Sequence, residues 1–154
     1  MRQRAQLGMA MFLLAETVFF FLLILAFLYF HGSNKDLHLQ ITAIYSVLLV
    51  VSVFSLWRAA ASRSRKWLAV TIGLGAAFVV GQAGEYLRLI QDGVTMRQSL
   101  FGTTFFTLAG MHELHVLAGL IALAVVPFSA LRVIALYWTF FVFVWLVIFI
   151  VAYI

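Results

Sequence analysis

Five stretches of this sequence are apolar over the length a helix needs to cross a lipid bilayer. A helix rises about 1.5 Å per residue, so about 20 mostly apolar residues span the hydrocarbon core. The stretches run roughly over 7–30, 39–61, 67–90, 102–127 and 133–154. Hydrophobic residues make up 66% of the 154 and charged residues 10%, against about 45–50% and about 25% in soluble domains. A water-soluble fold could not hide this much apolar surface. The expected fold is therefore all-α: one transmembrane domain over 1–154, built as a five-helix bundle. The first run follows Met1-Arg2-Gln3-Arg4 and so imitates a signal peptide. It is longer than the apolar core of about 7–15 residues such a peptide carries, and reads as a retained membrane helix.

Polar residues gather at the joints. His31-Gly32-Ser33-Asn34-Lys35-Asp36 reads as a turn-rich loop and Ser62-Arg63-Ser64-Arg65-Lys66 as a basic one. Gln91-Asp92-Gly93 opens a third, and Pro127, which lacks a backbone donor, suits the boundary before the last helix. Alternating spans place Arg2, Arg4, Arg58, Arg63, Arg65, Lys66 and Arg132 on one side of the membrane, and Lys35, Arg88 and Arg97 on the other. The positive-inside rule puts the seven in the cytoplasm, so the N-terminus is expected inside and the C-terminus outside. The net charge of +5 thus reads as topology. The basic residues form no stripe of the kind that binds nucleic acid. With no cysteine, thiolate metal sites and disulfides are excluded.

Charge inside the membrane costs about 2.5–3.5 kcal/mol on insertion scales, which makes the exceptions informative. Glu16 lies two to three turns inside the first helix and should face protein, protonated or hydrogen-bonded. It would handle protons, dock a partner, or simply join two helices. Gln82 and Glu85 stand three apart on one face of the third helix. Gly73, Ala77 and Gly81 form a row that invites close helix approach. Glu85, beside Tyr86 and Arg88, reads most plainly as a solvated or interfacial carboxylate. His112 and His115 share a face of the fourth helix, and Glu113 is turned from His112 by about 100°. Di-iron bundles draw ligands from two Glu-x-x-His motifs, which are missing here, so both histidines read as interhelical hydrogen-bonding residues. A haem pair would need a facing histidine, and His31 and His38 sit at helix ends. Trp57, Trp67, Tyr29, Tyr86 and Tyr153 suit an interfacial belt. Phe140, Phe141, Phe143, Trp145 and Phe149 read as lipid-facing or packing residues.

Four ordered motifs carry a family resemblance that covers essentially the whole chain. The run Phe101-Gly102-Thr103-Thr104-Phe105-Phe106-Thr107-Leu108-Ala109-Gly110-Met111-His112-Glu113-Leu114-His115-Val116-Leu117-Ala118-Gly119 resembles the signature of the cytochrome c oxidase subunit III family. That family reads Gly-Ser/Thr-Thr-Phe-Phe, then Thr-Gly-Phe-His-Gly-Leu-His-Val, with a Gly three residues on. Ala15-Glu16-Thr17-Val18-Phe19-Phe20 is similar to its Ser-Glu-Val-x-Phe-Phe, and Gln82-Ala83-Gly84-Glu85-Tyr86 to its Gln-x-x-Glu-Tyr. Tyr137-Trp138 and Trp145 match part of Tyr-Trp-His-Phe-Val-Asp-Val-Val-Trp. The chain departs from the pattern at Thr139 (His in the family), Val142 (Asp) and Glu113 (Gly). The family has seven helices, and these five resemble the last five, in a short bacterial form.

The resemblance implies a non-catalytic subunit of a bacterial haem-copper oxidase, in the aerobic electron transport chain of the cytoplasmic membrane. Such a subunit holds no haem or copper, which reside in partner subunits. It packs on the catalytic subunit I and other oxidase subunits, holds phospholipid, and supports oxygen access and proton uptake. Glu16 would be the family's buried carboxylate, with Gln82, Glu85, His112 and His115 as bundle-internal polar contacts. Arg58, Arg63, Arg65 and Lys66 would meet anionic lipid head groups. The competing readings are a nitric oxide reductase accessory subunit resembling subunit III, an autonomous proton-coupled carrier using Glu16, and an intramembrane metalloenzyme using His112, His115, Glu16 and Glu85.

Overall fold

A computed structural model describes residues 2–30 and 37–154. The expected turn-rich segment from His31 to Asp36, with Lys35, lies outside the described residues. Five helices follow one another: α1 (Arg2–Tyr29), α2 (Leu39–Ser62), α3 (Arg65–Gln91), α4 (Leu100–Val125) and α5 (Leu131–Tyr153). All five are long and apolar enough to cross a membrane, and no strand occurs among the described residues. Their ends differ from the expected ones in ways the local chemistry explains. Arg2 to Gln6 join α1, because helical hydrogen bonding does not stop where hydropathy does. α4 ends at Val125, ahead of the expected 127, because Pro127 forces the residue before it out of the helical region. Val126 is accordingly extended, at φ −73° and ψ 138°. α2 and α3 are joined by only Arg63 and Ser64, and Arg63 takes the left-handed conformation (φ 50°) that reverses the chain so tightly.

α2, α3, α4 and α5 pack as a ring in which each touches the next, and α1 lies in the groove between α4 and α5. α1 meets that groove with Met9, Leu13, Glu16, Phe20, Leu23 and Phe27, spaced four and three apart on one face. Its remaining faces, including Leu14, Val18, Phe21 and Leu22, are exposed apolar surface. α5 is the hub, and its Trp138, Phe141, Trp145 and Ile148 are buried to 1% exposure or less. Of the helix 5 aromatics, Trp145 and Phe141 therefore pack inward, whereas Phe143 faces out at 63% exposure.

Lipid tails are as apolar as leucine, so helices in a bilayer are held by close contact and by hydrogen bonds between them. Both devices are visible. The Trp138 and Trp145 indoles donate to the hydroxyls of Ser52 and Ser46 on α2, each at 2.8 Å. Those serines in turn donate to the carbonyls of Leu49 and Thr42, so each hydroxyl both gives and accepts. Ser55 and Thr71 meet at 2.7 Å between α2 and α3. The close approaches fall at Gly75 and Gly119, where a Cβ would lie 2.8 Å and 3.0 Å from the Trp138 ring, and at Gly81, against the ring of Tyr45. The expected row Gly73, Ala77 and Gly81 is therefore not one contact. Gly73 has nothing within 4 Å of its Cβ position, because only Gly81 turns toward α2.

Candidate functional site

The polar residues of α1 and α4 converge near the middle of the bundle. Glu16 stands fourteen residues into α1, about 21 Å along it at about 1.5 Å per residue. Its Oε2 lies 3.3 Å from His115 Nε2 on α4, and each side chain is 17% exposed. The approach is at ion-pair distance but not aligned as a hydrogen bond, and Oε2 has no other partner among the described residues. His115 Nδ1 faces the carbonyl of Met111 at 2.7 Å. A carbonyl only accepts, so Nδ1 carries a proton and Nε2 is the variable nitrogen. One proton between Nε2 and Oε2 leaves the pair without net charge, whether as acid and imidazole or as carboxylate and imidazolium. The arrangement sets an ionisable group of α1 against one of α4.

Neighbouring rings fix the imidazole. Phe141 stacks on His115 at 4.6 Å between centroids, and Phe20 lies edge-on to both rings, at 5.4 Å and 5.8 Å. The Tyr137 hydroxyl donates to the His115 carbonyl at 2.7 Å. Beside the pair, Met9, Phe12, His115, Ala118, Ile134 and Tyr137 line an apolar cavity of about 420 Å³ that opens between α1, α4 and α5. On the opposite side of the pair, α1 and α5 form a second apolar groove of about 180 Å³, past Phe20, Ile24, Phe140 and Val144.

His112 is fully buried and serves a different contact. Its Nε2 donates to the Phe141 carbonyl at 2.8 Å, joining α4 to α5, while Phe20, Phe78 and Trp145 surround its ring. The two histidines thus share a face but point at different partners. Among the described residues no three His, Asp or Glu side chains gather as a metal-binding group. His115 could offer an ion only Nε2, beside Glu16, because Nδ1 is committed to the Met111 carbonyl.

Of the readings open for Glu85, solvated, interfacial or internal to the bundle, the first does not match its surroundings. It is buried at 7% exposure, accepts from the His38 backbone N–H at 3.2 Å and pairs with Arg88 at 2.8 Å. Arg88 also reaches Asp92 at 2.9 Å. These contacts pin the start of α2 to the end of α3, and the buried oxygen is satisfied by that geometry. Gln82 is buried at 1% exposure one turn further in. Tyr86 and Tyr153 depart from the interfacial belt, because their hydroxyls are turned into the bundle. Trp57 and Trp67 stay partly exposed, with Trp57 donating to Thr139 at 3.0 Å and Arg58 lying 5.9 Å over the Trp67 ring. Arg63 and Lys66 are exposed at the same end, and Arg65 borders a groove of about 280 Å³ between α3 and α4. Sequence reasoning did not single out Ser46, Ser52, Trp138 or Tyr137 as polar contacts. Serines in an apolar helix opposite tryptophans in another were the available signal.

No family model matches the chain. It is 38% identical to cytochrome c oxidase subunit 3 of Corynebacterium diphtheriae, over 80% of this chain and 67% of that one. Identity to cytochrome c oxidase subunit 3 of Synechocystis is 30%, over 95% of this chain and 73% of that one. Identity to the cytochrome bo(3) ubiquinol oxidase subunit 3 of Pseudomonas aeruginosa is 33%, over 79% and 68%. Across the relatives it matches, the chain spans 45% to 73% of their length.

Proposed function

The chain belongs to the cytochrome c oxidase subunit 3 family, and from that premise we propose that it is a non-catalytic subunit of a bacterial haem-copper oxidase. It is a multi-pass membrane protein, and its place is the cytoplasmic membrane, with the N-terminus inside. The reaction, oxygen reduction coupled to proton movement, belongs to the complex. Its haem and copper sit in partner subunits, and this chain packs against the catalytic subunit I. The observation that carries the reading is the match to subunit 3 of the Synechocystis oxidase over 95% of this chain.

The site supports a role in the surroundings of catalysis. Apolar grooves beside Glu16 and His115 suit acyl chains of phospholipid and dissolved oxygen, which partitions into apolar space. The pair itself suits proton handling near the subunit I face. Arg58, Arg63, Arg65 and Lys66 lie where anionic head groups are expected at the cytoplasmic surface. An oxidase assembled without this chain should keep its haem absorption and begin turnover, then lose oxygen consumption as turnover continues. Undiminished consumption over the same period would contradict a supporting role.

A further inference from the structure

A second group of buried polar side chains lies at the meeting of α3, α4 and α5, away from Glu16 and His115. Glu113 is 9% exposed and Gln82 1%. Both carboxyl oxygens of Glu113, Nε2 of Gln82 and the hydroxyls of Tyr86 and Tyr153 are buried without a hydrogen-bond partner among the described residues. A buried polar atom left unpaired is costly, so these groups call for partners. Tyr86 packs against Phe105 and Phe106 at 6.4 Å and 5.6 Å, and Tyr153 reaches the same Phe105 at 6.1 Å. Glu113 follows Phe106 by seven residues, two turns along the same face of α4. Gln82 is near enough to both phenols, and Thr42 of α2 to Tyr153, for side-chain hydrogen bonding, and Glu113 is an electrostatic neighbour of Tyr86 without such a contact.

Gln82 and Tyr86 in the last turns of α3 and Tyr153 at the end of α5 place the group toward the membrane face at which α3 ends. Tyr153 lies in the electrostatic surroundings of Glu85 and Arg88, and Arg88 pairs with Asp92, which is 51% exposed. From there Tyr153, Gln82 and Tyr86 lead inward to Glu113, thirteen residues along α4 from Leu100, or about 20 Å. Of the other titratable groups near Glu113, Glu16 of α1 faces His115, Glu85 and Arg88 of α3 pair with each other, and His112 bonds the Phe141 carbonyl through Nε2 while its Nδ1 is buried without a partner among the described residues. Buried water commonly makes about three hydrogen bonds to otherwise unpaired polar groups.

We propose that Gln82, Tyr86, Glu113 and Tyr153 hold a file of internal water that links Glu113 to the aqueous phase at the α3–α4 end of the bundle. Glu113 gives its proton to that water and regains one from it, so the mid-membrane carboxyl exchanges with that side. The file is separate from the Glu16–His115 pair.

Hydroxyl-radical labelling by X-ray radiolysis of the purified complex, read by mass spectrometry, tests for the water directly. Tyr86 and Tyr153 should label several-fold more than Trp138 and Trp145, whose polar atoms are already bonded. Labelling of all four at the same low level would overturn the proposal. Glu113→Gln keeps the side chain's shape, and the infrared spectrum of the native complex minus that of the variant isolates the Glu113 carboxyl. Its acid carbonyl band should shift on mixing with heavy water. A difference spectrum without an acid band, or a band that stays in place, would also overturn it. Glu113→Asp, which moves the band instead of removing it, serves if the glutamine variant does not assemble.

Discussion

At the scale of single residues, the bundle is decided by where its few polar atoms find partners. His115 commits Nδ1 to the Met111 carbonyl and turns Nε2 to Glu16. Glu16→Gln leaves a carboxamide that can still meet Nε2, so the complex should assemble at close to normal yield. Glu16→Leu leaves the imidazole without its partner and should lower the yield of the haem-containing complex. Complete loss of the complex in the glutamine variant would contradict this. The indole of Trp145 is a second case. Its bond to Ser46 should be worth about 1 kcal/mol, the scale found for hydrogen bonds between membrane helices. Denaturation in mixed micelles of Trp145→Phe, Ser46→Ala and the double variant measures the coupling. A coupling of zero would show that the bond contributes nothing to holding α5 on α2.

At the scale of helices, the five spans were legible in the sequence but their rotation was not. In water, apolar residues mark the inside of a helix. In lipid every face is apolar, so hydropathy no longer separates core from surface, and small and polar residues carry the information. Glu16, His112 and His115 were readable on that basis. Trp145 read equally well as a lipid-facing ring, and Tyr86 and Tyr153 as interfacial anchors, because helix-end position and ring type do not reveal which way a phenol turns. The glycines show the same limit. Gly73 and Gly75 stand two apart in one helix, yet only Gly75 meets Trp138 and Leu120, with a Cβ position 2.8 Å from each. Gly75→Ala should therefore cost about 1–3 kcal/mol through overpacking, whereas Gly73→Ala should leave the denaturation midpoint unchanged. Equal effects would mean that α3 is rotated from the position described.

At the scale of the whole molecule, orientation and assembly decide what the bundle can do. The chain has no cysteine, so single cysteines report sidedness cleanly. Ser62→Cys, at the end of α2, should react with a membrane-impermeant maleimide only after the cytoplasmic face is opened. Gln98→Cys, before α4, should react in intact cells. The reverse pattern would invert the bundle. Membership of the subunit 3 family makes the larger claim that these five helices work against a haem-bearing partner, and α1 offers apolar faces for such contact. Mild-detergent purification through a tag on this chain, followed by a visible spectrum and subunit masses, tests that claim most directly. Haem absorption and a catalytic oxidase subunit should appear in stoichiometric yield; recovery of the intact chain without any haem protein would contradict a place in an oxidase.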